Sequence, residues 1–143
     1  MSLAVLVRRI YNNLIGTENL RYGTLPTSAD GAAAAAVTLT AAAAWTFGAW
    51  AQIALAAVVA VETQIVGFTL ENFVGAASQG EIEIGIGVAP AGAALGRYQS
   101  VYGNFILPKP IRIPAATAVV ARYRTSTGAA DTVDVKLNTI TVF

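Results

Sequence analysis

The chain contains no histidine and no cysteine in 143 residues, and only 12% of it is charged. The missing histidine removes the one side chain that titrates near neutral pH. The missing cysteine removes the thiolate nucleophile, the soft ligand of structural zinc sites and any disulfide framework, and leaves the redox compartment open. Neither sign of charge prevails: nine Lys and Arg stand against eight Asp and Glu, a formal net charge of +1. Nucleic acid and anionic membranes call for clustered cations, so neither is expected as a partner. An enzyme, a cofactor and a bound metal are not expected either. The beginning of the chain lacks the order of a secretory leader, because Arg8-Arg9 follows the first apolar residues instead of preceding an apolar core.

What is present is apolar and small. The hydrophobic fraction is 55% and the mean hydropathy is +0.59, much of it from alanine. Such a chain either enters a membrane or covers its outer surface with copies of itself or a scaffold. Gly31 to Val61 carries no charge and is long enough to span a bilayer. Its alanines add little to insertion, Thr38, Thr40, Thr46 and Gln52 oppose it, and no flanking cation sets an orientation. Strands are the better reading: Val37–Thr40 alternates, Trp45–Phe47 alternates, and Gly48 permits a bend before Trp50–Ile53.

The rest of the chain carries a period of two. Val61–Phe73 reads as a strand with a bulge at Gly67. Glu81–Val88 puts Ile82, Ile84, Ile86 and Val88 on one face and Glu81, Glu83, Gly85 and Gly87 on the other. Gly85-Ile86-Gly87 is not a phosphate loop, since no third glycine follows and Pro90 stands where a helix would open. Ala89–Tyr98 reads as a loop and Tyr102–Leu107 as a strand. Pro108, Pro110 and Pro114 mark an edge strand or a crossing between sheets. Thr117–Arg124 and Thr132–Phe143 are strands about a turn, and a change of parity near Asn138 suggests a break in the second. The expected fold is all-β, an antiparallel jelly-roll sandwich of about eight strands over 37–143. Residues 1–36 precede it as an N-terminal arm or short helix: Leu3, Leu6, Ile10 and Leu14 keep helical spacing, while 16–36 is rich in Gly, Thr, Ser, Pro and Ala.

Three groupings bear on function. Glu81 and Glu83 share a strand face, where salt bridges to arginines on a neighbouring strand are more common than catalysis. Arg122 and Arg124 precede the 125–131 turn, and Asp131 and Asp134 follow or close it, so a hairpin would pair them. Arg8, Arg9, Tyr11, Arg122 and Arg124 are the candidate interface residues. Trp45, Trp50, Tyr98 and Tyr102 suit core or interface packing, or a sugar-stacking platform on Trp50 and Tyr102.

Three segments carry a likeness to a known group: Trp45–Ala54 (WTFGAWAQIA), Glu81–Gly87 (EIEIGIG) and Leu107–Arg124 (LPKPIRIPAATAVVARYR). With them, the stretch from Trp45 to Phe143 resembles the jelly-roll structural proteins of tailed-phage virions. These are capsid decoration (cement) proteins and related head or tail components. Pro114-Ala115-Ala116-Thr117 departs from the Pro-Ala-Gly-Thr turn frequent in such segments. The resemblance implies a non-enzymatic bacteriophage structural protein that oligomerises, with a trimer favoured, and stabilises a shell by contact with the major capsid protein or another virion protein. Its expected place is the virion, on the capsid surface in preference to the tail. The alternative is a carbohydrate-binding or adhesion module of a phage tail or head fibre.

Overall fold

A computed structural model describes residues 2–7, 20–27, 35–77, 79–100, 103–128 and 130–142. Among them lie nine strands: β1 (Leu20–Leu25), β2 (Val37–Thr40), β3 (Ala51–Ala54), β4 (Thr63–Val74), β5 (Gly80–Ile86), β6 (Ala93–Gln99), β7 (Gly103–Ile113), β8 (Val119–Thr125) and β9 (Thr132–Val142). Residues 3–7 form a short helix whose apolar side chains are exposed. No helix among the described residues is long and apolar enough to cross a membrane.

The strands form an all-β sandwich of two antiparallel sheets. One has five strands, β1-β9-β4-β7 with β2 also on β9; the other runs β3-β8-β5-β6. Four of the pairings, β2·β9, β3·β8, β4·β7 and β5·β6, are the rungs of one long hairpin whose bend lies between β5 and β6. The pairs β4·β9 and β5·β8 form where that ribbon wraps and meets itself. β1 joins outside the ribbon: Leu20 faces Val142 and Leu25 faces Leu137. It shares with β2 the edge of β9 opposite β4, and Leu25 enters the core. The sheet therefore begins within the segment expected as an arm.

The core fills the space between the sheets. Ile65, Phe68, Leu70, Val133, Val135 and Leu137 meet Ile82, Ile84, Val119, Ala121 and Tyr123, all buried. Phe68 stacks on Phe105 with centroids 4.9 Å apart, and Tyr98 tilts against both at 6.0 Å. Burial raises the Tyr98 hydroxyl above the usual tyrosine value.

Local chemistry explains where the ladder departs from regularity. Gly67 marks the register shift in β4, as expected, because a Cβ there would lie 2.3 Å from the Phe105 carbonyl oxygen. Opposite it, β7 leaves the ladder between Ile106 and Ile111, across Pro108 and Pro110, on the open edge of the sheet. Three expectations are corrected. Ala93–Gln99 is a strand, not a loop, since its small residues pair along β5. Trp45–Phe47 is a turn and an irregular segment, not a strand. The parity of β9 does not change, because Thr139 takes the inner position and is buried while Ile140 faces out. The irregularity lies in β4 instead.

Candidate binding surface on the four-stranded sheet

The outer face of β8-β5-β6 carries five charged side chains, Glu81, Glu83, Arg97, Arg122 and Arg124, with Phe47 and Trp50 packed against the arginines. Register places Glu83 directly between Arg122 of β8 and Arg97 of β6, and Glu81 opposite Arg124. Arg122 donates from Nε at 2.7 Å and Nη2 at 2.5 Å to Glu83 Oε1. Arg97 donates from Nε at 3.1 Å and Nη2 at 2.9 Å to Oε2 of the same carboxylate. Arg124 Nε lies 2.6 Å from Glu81 Oε2, and its Nη2 contacts the same oxygen. Glu83 is 3% exposed. Burial pushes its carboxyl up, but the hydrogen bonds and charges of Arg122 and Arg97 outweigh that and hold it below the usual range. Glu83 is therefore a fixed anion and not a proton donor.

The salt bridges expected between the β5 glutamates and neighbouring arginines are present, and Phe47 and Trp50, from the segment Ala43 to Trp50, partly cover them while the Arg97 side chain stays 49% exposed. The Trp45 N–H donates to Thr125 O at 2.7 Å and the Gly48 N–H to Tyr123 O at 2.9 Å, so this segment runs along β8. Gly48 is required there: a Cβ would stand 1.7 Å from the Thr40 carbonyl oxygen. The Phe47 ring lies 4.6, 4.7 and 5.0 Å from the guanidinium carbons of Arg122, Arg124 and Arg97. Arg122 also sits 4.3 Å over Trp50. Each such contact contributes about 0.5–2 kcal/mol, more where water is excluded.

Trp45 occupies a strained position. A turn closes from the Thr46 N–H to the Ala43 carbonyl at 2.9 Å, placing Trp45 third in the turn with φ +55°. A positive φ at that position ordinarily selects glycine. A side chain there costs about 1–2 kcal/mol. The indole is nevertheless 45% exposed.

Of the residues singled out by sequence, Arg122 and Arg124 come together on this face. Their partners are Glu83 and Glu81, not Asp131 and Asp134, because β8 and β9 belong to different sheets and the 125–131 turn is a crossing. Asp131 accepts from the Thr125 and Thr127 hydroxyls at 2.6 Å each. Asp134 accepts from Thr38 at 2.5 Å and Asn72 at 2.9 Å. These bonds hold both carboxyls below the usual aspartate value, led by Thr125 for Asp131 and by Thr38 for Asp134. Trp50, proposed as a sugar platform, is 9% exposed with Arg122 over its ring. Arg8, Arg9, Tyr11 and Tyr102 lie outside the described residues. Sequence reasoning missed Arg97 and Phe47; the Glu-x-Glu and Arg-x-Arg spacings on two strands were the available signal.

No group of three or more Asp and Glu among the described residues is arranged to hold a metal ion. Comparison with protein-family models, with curated proteins and with solved structures finds no match for this chain.

Proposed function

We propose that this protein is a non-enzymatic structural component of a bacteriophage virion, a decoration protein that oligomerises and reinforces a shell. The observation that carries the reading is the wrapped ribbon. Pairing β2 with β9, β3 with β8, β4 with β7 and β5 with β6 supports reading the sandwich as a jelly roll, an architecture used by viral capsid and lectin domains. The step from path to role is fold-level analogy. The surface supports it by a separate route. Leu55, Val58 and Val88 are exposed at one end of the sandwich, on the loops that follow β3 and β5. Those loops are tied together by Gln52, whose amide donates to Gly87 O at 3.3 Å and accepts from the Ala89 N–H at 3.0 Å. A rigid end that displays aliphatic side chains suits a permanent contact with a neighbouring subunit, and repeated weak contacts on a lattice gain from avidity.

Light scattering on the purified 14.7 kDa chain tests the reading, together with co-sedimentation on phage shells stripped of decoration. A discrete trimer that saturates shells is expected, with both properties weakened by Leu55→Asp and Val88→Asp. A chain that stays monomeric at all concentrations and leaves shells bare overturns it.

A further inference from the structure

A cleft of about 180 Å³ opens where β5 and β6 begin and end, lined by Trp45, Gln79, Gly80, Glu81, Gln99 and Ser100. Pockets for drug-sized ligands run to about 300–1,000 Å³, so this one suits a single small ring. Its walls are fixed. Glu81 and Gln99 are cross-strand partners, the Ser100 N–H donates to Gly80 O at 2.9 Å, and the Ser126 N–H donates to Gln79 O at 3.0 Å.

The lining combines a half-exposed indole, whose ring centre lies 5.7 Å from the Arg124 guanidinium carbon, with polar groups that are uncharged or, like Glu81, answered by an arginine. Two amides and a hydroxyl can both donate and accept. The Glu81 charge is answered by Arg124, and both Arg124 contacts fall on Oε2, which leaves Oε1 to accept from a ligand. A ligand matched to this has an apolar face for the indole and hydroxyls around its edge. The backbone of Trp45 points the same way. Its amide is anchored to Thr125 and its carbonyl accepts from Arg124 Nη1 at 3.2 Å, yet it holds a bulky residue where the turn favours glycine. Residues held in sparsely populated backbone conformations cluster at ligand clamps, though Asn72, Ala116 and Ala130 of this chain also have positive φ, so the strain adds to the lining chemistry and does not stand alone.

We propose that this cleft binds one pyranose ring of a neutral glycan, with the Trp45 indole as stacking platform and Glu81, Gln79, Gln99 and Ser100 bonding the hydroxyls. The site is distinct from Trp50, which is buried, and does not depend on the virion reading.

The test is isothermal titration calorimetry on the full chain, with oligosaccharides of glucose, galactose, mannose and N-acetylglucosamine up to about 10 mM, a range that detects millimolar affinity. Saturable binding to at least one is expected. Trp45→Gly and Gln99→Ala should each weaken it at least about tenfold, and Trp45→Phe should restore part of it. Trp45→Gly should melt no lower than Trp45→Ala, because glycine relieves the turn. Oligomer size and shell binding should be unchanged in all these variants. No saturable binding to any of the four sugars, or wild-type binding by Trp45→Gly, overturns the proposal.

Discussion

Glu83 gives the fold its sharpest test of how charge is held on a sheet surface. One carboxylate serves two guanidiniums, one on each oxygen, but the two arginines are not equivalent: the Arg97 side chain is 49% exposed and the Arg122 side chain 29%. A half-exposed pair contributes about 0.2–1 kcal/mol, because water replaces the lost partner. Arg97→Ala should therefore cost about 0.5 kcal/mol. Both arginines touch Phe47, but Arg122 is the less exposed and alone lies over Trp50, so Arg122→Ala loses a further packed contact where water replaces the partner less readily; about 2–3 kcal/mol is expected. Glu83→Gln keeps the shape and removes the charge, and should cost about 2 kcal/mol, since both arginines can turn toward solvent. Urea unfolding at neutral pH measures all three. A double-mutant cycle should give a Glu83–Arg122 coupling at least twice that of Glu83–Arg97. Equal costs for the two arginines, or a Glu83→Gln midpoint equal to that of the parent, would refute the reasoning.

Other perturbations follow from the same contacts. The carboxyls of Glu83, Asp131 and Asp134 are all held below their ordinary values of 4.5, 3.8 and 3.8, so the unfolded chain takes up protons first as pH falls. Stability should be full above about pH 5 and drop as pH falls through the folded values, with a shallower slope in Glu83→Gln, read by chemical unfolding at each pH. Gly48→Ala should prevent the 43–50 segment from seating and shift the melting temperature down by several degrees or abolish folding, because its methyl would overlap the Thr40 carbonyl. Removing residues 2–30 should leave a β-rich circular dichroism spectrum with a lower melting temperature, since it deletes β1 and uncovers Leu25's place in the core. A truncated chain as stable as the parent would count against β1 as part of the sandwich.

Much of the fold was legible because its strands keep the period of two over short, well-punctuated runs. Val37–Thr40 is β2 to the residue, Gly67 is where β4 shifts register, and the prolines of β7 lie on an open edge. β6 was not legible: AALGRYQ has small residues on both faces and is mostly exposed, so no alternation marks it. The Arg–Asp hairpin failed for a different reason. A turn that crosses between sheets and a turn that closes a hairpin have the same local composition, and only pairings distant in sequence, such as β5 with β8, tell them apart. The partly covered face of β5 was hidden likewise, since nothing in Glu-x-Glu reports that Phe47 and Trp50 fold back over it. Thr139 at an inner position imitated a break in β9, where a threonine simply stands in for an aliphatic residue.

The antiparallel seam between β1 and β9 has a mechanical consequence. Leu20, where β1 starts, lies beside Val142, near where β9 stops. Tension applied between these two points loads the seam like a zip, with one rung bearing the force at a time, and it opens at low load. β4 runs along the opposite edge of β9, paired from Thr63 against Thr141 to Val74 against Thr132, and would stay clasped as β1 peels away. Pulled from that corner, the sandwich should yield in two steps, a soft release of six residues and then a stiffer failure of the wrapped ribbon. The chain thus has a built-in length of slack that can be let out without loss of its core sheet pairing.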